Sequence, residues 1–330
     1  MPELLEPVRL LLELLARPST TGSEGPLGQF VLELMGKTFR PDVLECQEVG
    51  PGRFNVFMAK GEPRITFTSH LDTVPGEVRV RRAEGRVYGR GACDAKGQIV
   101  AQLCALQRAE QQGLRNFGAF YVVGEEVDSA GAMAAARHPA LGAAYLLNGE
   151  PTGNRFARRS AGVIDTVIRS RGSQVHSSLA KGNSALHRLL GDLAALLCQD
   201  SPDFLVNVGT IEAPGVSNVT CGSALARVCV RPAGSVNDAL AQLRGCLADC
   251  ELELVGPAVT PFEFHVPQRF EQNAIAVPFC SDAPLYASRA EQVLMCGPGA
   301  IAEAHTPDEF IEEHQLYQGV DLLAGLALSL

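Results

Sequence analysis

The sequence predicts an α/β protein: a mixed central sheet flanked by helices, interrupted by a smaller insert of ferredoxin-like β-α-β-β-α-β order. Three observations carry this. Apolar strand-like runs alternate with helix-period runs between residues 42 and 148. Around residue 160 the pattern changes, and six elements follow in the order strand, helix, strand, strand, helix, strand. From about Pro267 the strand-and-helix mixture returns and ends in a helix over 312–328. The implied boundaries are 1–160 and 265–330 for the larger domain and 161–264 for the insert.

The elements follow in order. Leucines at helical spacing predict a first helix over 3–16; the acidic residues Glu3, Glu6 and Glu13 and the absence of a basic leader set it apart from a signal peptide. A second helix is expected over 21–35, after the Pro18-Ser19-Thr20 break. Strands are expected at 42–49, 55–60 and 64–68, with a short one around Val87-Tyr88. A helix over 95–112, a strand at 119–123, a helix over 131–137 and a strand at 144–148 complete the first part. In the insert, 163–171, 204–212, 224–231 and 251–255 read as strands. The runs 185–199 and 236–247 read as the two helices that cover one sheet face.

Composition narrows the function. With 46% hydrophobic residues in 330, the chain can build a substantial core. A net charge of −9 argues against nucleic acid or an anionic membrane as partner. No run of eighteen apolar residues occurs, so no membrane span is expected, and a cytoplasmic protein is the default reading. None of the ten cysteines forms a CxxC pair, which reads as buried free thiols. Cys93, beside Asp94, is the exception: a nucleophilic thiol there would need a positioned His base.

The chemistry concentrates at the ends of strand-like runs. Ile65-Thr66-Phe67-Thr68 ends in His70 and Asp72, two residues apart and so on one face of an extended chain. Asp94 sits where a glycine-rich turn meets a helix start, a place for an N-cap or a ligand. Tyr121-Val122-Val123-Gly124 ends in Glu125-Glu126, and Leu146-Leu147-Asn148-Gly149 in Glu150. Val293-Leu294-Met295-Cys296 leads through Gly297-Pro298-Gly299 to His305. Sites in open α/β sheets gather at the carboxyl ends of strands. Two His and three carboxylates there can hold a pair of zinc ions sharing one carboxylate.

The segments HLDTVPG, GRGACDAKG, VGEE, NGEPT and GPGAIAEAHTPDE, in this order, resemble the signature blocks of the M20 metallopeptidases, acetylornithine deacetylase and its relatives above all. They span about residues 64–310. The resemblance implies a phosphorylase/hydrolase-like catalytic domain whose insert is a lid and dimerisation domain, hence a homodimer. It implies two Zn²⁺, with Co²⁺ a possible substitute: His70 and Glu150 on one, Glu126 and His305 on the other, Asp94 between them. Asp72 would support His70. Glu125 would be the general base; adjacent residues of an extended chain point opposite ways, which suggests such a division between Glu125 and Glu126.

In the insert, Gln174-Val175-His176-Ser177-Ser178 resembles the lid histidine motif, which implies His176 as an oxyanion donor to the partner subunit's site. Asn218 and Arg231 match substrate-binding positions of the lid; a guanidinium fork suits a carboxylate. The sequence also departs from the pattern. Cys229 stands where an acidic residue is usual, the segment between Pro75 and Tyr88 is short, and Ala213-Pro214-Gly215 replaces a glycine pair. The expected reaction is hydrolysis of an N-acyl amino acid, an acetylated ornithine or citrulline in arginine-type biosynthesis. Desuccinylation of an N-succinyl diamino acid such as N-succinyl-diaminopimelate, release of lysine or ornithine from a carrier protein, dipeptide cleavage and a non-catalytic zinc-binding role stay open.

Overall fold

A computed structural model describes residues 4–138, 141–180 and 182–330 of the chain. In chain order the elements begin with α1 (Pro7–Leu15), α2 (Gly25–Phe39), β1 (Val43–Gly50), β2 (Arg53–Lys60) and β3 (Ile65–His70). Next come β4 (Arg81–Ala83), β5 (Arg86–Tyr88), α3 (Lys96–Gln111), β6 (Phe117–Val122), α4 (Ala130–Ala135) and β7 (Ala143–Asn148). The middle holds β8 (Ala157–Ser160), β9 (Ile164–Arg171), α5 (Ala185–Leu197), β10 (Phe204–Glu212), β11 (Ser223–Pro232), α6 (Val236–Gly245) and β12 (Glu251–Leu254). The end holds β13 (Ile275–Val277), α7 (Ala283–Tyr286), β14 (Ala290–Met295), β15 (Phe310–Glu312) and α8 (Glu313–Ser329).

The chain divides into two compact units. One comprises Met1–Arg158, Phe264–Ile275 and Ser281–Leu330; the other comprises Arg159–Glu263 and Ala276–Cys280.

The first unit is built on a six-stranded mixed sheet of order β1-β2-β6-β3-β7-β14. β6, β3, β7 and β14 run parallel, while β1 and β2 are antiparallel. Alternation along β6 explains the layers. Phe117, Ala119 and Tyr121 face a core with Leu11 and Leu14 of α1, Leu103 of α3 and Val320 of α8. Phe120 points the other way and meets Phe57 and His138, ring centroids 5.4 and 5.8 Å away. A small sheet, β15-β5-β4, places Tyr88 against Phe310.

Several boundaries differ from the sequence reading, the starts of the first two helices among them. α2 starts at Gly25 rather than near residue 21, because Thr20 bridges Thr73 and the Thr21 N–H donates to Thr73 O at 3.2 Å. The backbone of Thr20 and Thr21 is thus committed to the loop after β3 before the helix can begin. α1 starts at Pro7 with the Glu6 carboxylate accepting the Val8 and Arg9 N–H groups as N-cap; residue 3, its expected start, lies outside the described residues.

The second unit is a four-stranded antiparallel sheet of order β10-β11-β9-β12 with α5 and α6 on one face. Ile164 and Ile168 of β9, Val228 and Val230 of β11, Leu189, Leu193 and Leu196 of α5 and Leu243 of α6 fill its core. This is the β-α-β-β-α-β order with the first strand central and the last at an edge.

Candidate metal centre

Four strand ends meet. His70 is the last residue of β3, Glu125 and Glu126 follow β6, Glu150 follows β7, and the loop after β14 carries His305. All four strands are parallel neighbours, so the loops leave from the same sheet edge. Asp94 arrives from β5, just before α3, whose N-cap is Ala95 without a side-chain bond; Asp94 caps nothing. The loop from β14 must pass close. A Cβ on Gly297 would sit 1.9 Å from Gln98 Oε1 and 2.7 Å from Glu150 O, so only glycine fits. His305 adopts φ +61°, uncommon for a residue with a side chain and a form of local strain that concentrates at functional sites.

One donor atom each from His70, Asp94 and Glu150 lie within 4.8 Å of one another, and the same holds for Asp94, Glu126 and His305. Asp94 belongs to both groups: its Oδ1 is 2.9 Å from His70 Nε2 and its Oδ2 is 3.4 Å from His305 Nε2. His305 Nε2 is also 2.9 Å from Glu126 Oε1. A third grouping joins His70, Glu125 and Glu126. His70 Nδ1 lies 3.1 Å from Asp72 O. A carbonyl only accepts, so Nδ1 carries the hydrogen and Nε2 is the nitrogen that faces Asp94.

The electrostatics are those of a site short of positive charge. Burial pushes the Glu125 and Glu150 carboxyls well above the usual range, although His70 opposes it; neighbouring carboxylates add to the rise. His305 is raised to about 10 by its contacts with Asp94 and Glu126. Burial works against a charge on His70, yet contacts with Asp72 and Asp94 hold its pKa well above normal. Imidazole nitrogens and carboxylate oxygens in two overlapping groups are a donor set that divalent cations take, and a cation relieves the repulsion among the carboxylates. The residues therefore fit metal. Cys93, by contrast, is no nucleophile: burial, then Asp94 and Glu309, push its thiol well up, and its Sγ donates to Ala300 O at 3.3 Å.

The surroundings pin these side chains. Asp72 is wholly buried; its Oδ1 accepts the Gly124 and Glu125 N–H groups at 3.0 and 3.1 Å, and its Oδ2 accepts Glu126 N–H at 3.1 Å and the Thr21 hydroxyl at 2.8 Å. One carboxylate thus folds the whole 124–126 backbone. This corrects the picture of Glu125 and Glu126 on an extended chain. β6 ends at Val122, Gly124 takes φ +84°, and the pair lies in a turn, where both side chains converge with His70. Glu150 is oriented by Asn148, whose Nδ2 donates to Glu150 Oε1 at 3.0 Å; the Tyr286 hydroxyl donates to Asn148 Oδ1 at 2.7 Å.

Thr21, Asn148, Tyr286 and Glu309 were not singled out by sequence reasoning. Nor was Asp282, 3% exposed, whose own carboxyl is lifted by burial to about 7 and whose charge adds to the rise of Glu125. Two had a signal: Asn148 opens the NGEPT block, two places before Glu150, and Glu309 is an acidic residue within the last block, four places past His305.

His176, Asn218 and Arg231 lie in the second unit. His176 and Asn218 are together: Ser177 N–H donates to Asn218 O at 2.9 Å, and His176 bridges Val219. His176 Nδ1 accepts Ser178 N–H at 3.3 Å, so its exposed Nε2 bears the hydrogen. Arg231 is elsewhere. It sits near the far end of β11, eight residues beyond Ser223, roughly 26 Å at the usual rise per residue. There it lines a cavity of about 630 Å³ with Arg159. Cys229 faces Asp165 of β9 in register, so a carboxylate stands across the strand from the position where an acidic residue is usual.

Residues 66–329 match the family described as peptidase family M20/M25/M40. A probable carboxypeptidase of Aspergillus clavatus is 30% identical over 363 aligned residues, covering 94% of this chain and 86% of that protein. The acetylornithine deacetylase of Erwinia tasmaniensis is 27% identical, over 98% of this chain and 97% of the relative. A tripeptidase from Staphylococcus aureus has the same fold, with a TM-score of 0.80 at 17% identity over 98% and 97% of the two chains. The chain belongs to peptidase family M20/M25/M40 and is a metal-dependent amide hydrolase.

Proposed function

We propose that this chain is a two-zinc hydrolase that removes the acyl group from an N-acyl amino acid, of the N-acetylornithine or N-acetylcitrulline kind, in arginine-type biosynthesis. The observation that supports it most is a pair of donor groups sharing Asp94, with Glu125 adjacent. In this reading His70 and Glu150 hold one cation, Glu126 and His305 the other, and Asp94 both. Cations held there would supply a Lewis acid for the amide carbonyl and lower the pKa of a water, and Co²⁺ could substitute for Zn²⁺. Glu125 would take a proton from that water on its carboxylate and deliver it to the leaving nitrogen. His176 donates Nε2–H to the developing oxyanion. Arg231 receives the substrate carboxylate.

His176 with Asn218 and Arg231 stand at opposite ends of β11, too far apart to grip one small amino acid from a single lid. That separation supports a homodimer in which a second copy supplies one of the two sets. Ten free cysteines support a reducing compartment, the cytoplasm, and among the described residues no helix is long and apolar enough to cross a membrane.

A second reading is carboxypeptidase-like dipeptide cleavage, favoured by the name of the Aspergillus relative. Amine release from N-acetylornithine, N-acetylcitrulline, N-succinyl-diaminopimelate and a simple dipeptide, with zinc or cobalt and a chelator control, separates the two. Chelator-sensitive release from an acetylated member alone is the expected result. Release from the dipeptide alone favours the second reading, and silence across the panel with two metals bound rejects both.

A further inference from the structure

The carboxylate common to both donor groups is itself gripped by a residue outside them. Glu309 has no exposed surface. Its Oε1 accepts the backbone N–H of Cys93 and that of Asp94, each at 3.0 Å. Its Oε2 accepts Arg90 Nη1 at 2.7 Å, and its backbone O accepts Gly89 N–H at 3.1 Å. Lys96, almost fully buried and within electrostatic range of Glu309, anchors to Arg17 O at 2.8 Å. The segment 89–94 is therefore tied at backbone and side chain to the residue four places past His305. A buried carboxylate–guanidinium pair recovers little more than the cost of drying it, so stability alone explains it poorly. The amide bonds it makes are to the residue whose carboxylate both donor groups use.

We propose that Glu309 is a positioning residue for the metal centre: it sets Asp94 through the 93 and 94 amides and joins the Asp94 segment to the His305 segment, so that the second cation is held only when Glu309 is in place. The inference rests on the two-metal reading above. The test is Co²⁺ titration of the metal-stripped protein, followed by visible absorption and a competing chelator, with melting of the metal-free protein alongside. Glu309→Ala should weaken the weaker of two cobalt sites about 10- to 100-fold and alter its absorption. Glu309→Gln keeps an oxygen for both amides and should recover most of that affinity. Should Glu309→Ala fail to fold, Glu309→Asp, which retracts the carboxylate, must show the same loss.

Wild-type cobalt affinity in the alanine variant, or in the aspartate variant where alanine does not fold, would overturn the inference. So would equal losses in the alanine and glutamine variants that track a lowered melting temperature of the metal-free protein, since Glu309 would then serve the fold through Arg90. A wild-type protein that takes up fewer than two equivalents would instead bring down the two-metal reading, and this inference with it.

Discussion

In the first unit His70, Asp94 and Glu150 are 1, 7 and 4% exposed, and each is held by partners that are themselves held. In the second unit His176 and Asn218 lie exposed on neighbouring segments. Backbone bonds of Ser177 to Asn218 and Thr220 to Val175 hold them there, rather than bonds to their own side chains from other elements among the described residues, and Arg231 stands half-buried at the far end of β11. The first arrangement is over-determined. Asp72 alone fixes three amide groups, and removing one contact leaves the others. The second has few constraints, which suits groups that meet a substrate rather than hold an ion. Metal geometry tolerates little error, whereas substrate contacts tighten on binding.

Variants on the two sides should therefore behave differently. The largest effect is expected for Asp94→Ala, which takes a donor from both groups. Turnover of the best panel substrate should fall by more than about 10³-fold, and metal analysis should find both ions depleted. If full metal were kept, Asp94 would not be shared. His176→Ala should keep both ions and lower kcat about 10²- to 10³-fold, the range for an oxyanion donor; a change in KM alone would make it a binding contact. Arg231→Ala should raise KM about 10- to 100-fold with kcat little changed, and lysine should rescue it incompletely. The smallest effect belongs to Tyr286→Phe. Asn148 Oδ1 keeps a contact with Thr68 Oγ1 at 3.1 Å, so unfolding measurements should show a loss of about 1 kcal/mol and metal content should not move.

The same contrast governs what the sequence reveals. His70, Asp94, Glu126, Glu150 and His305 stand at the ends of apolar runs or beside glycine turns, and a parallel sheet brings such ends to one edge whatever the details. Beyond Asp72, most of their supports are not legible that way. Thr21 reaches Asp72 across fifty-one positions and Tyr286 reaches Asn148 across 138, with no periodicity to announce either. The turn at 124–126 was missed because Asp72, not local propensity, shapes it. In the second unit the strand and helix order follows from alternation and leucine spacing, yet nothing local tells that Asp165 would face Cys229 across two strands.

The most direct test of the account is metal content and turnover measured together on Glu125→Ala. The third grouping, of Glu125 with His70 and Glu126, makes this the sharpest question about the site. The account predicts two ions per chain, as in the wild type, with turnover lower by about 10²- to 10⁴-fold, the range for a lost general base. Loss of an ion in step with turnover would make Glu125 a ligand and contradict the division of roles around Asp94.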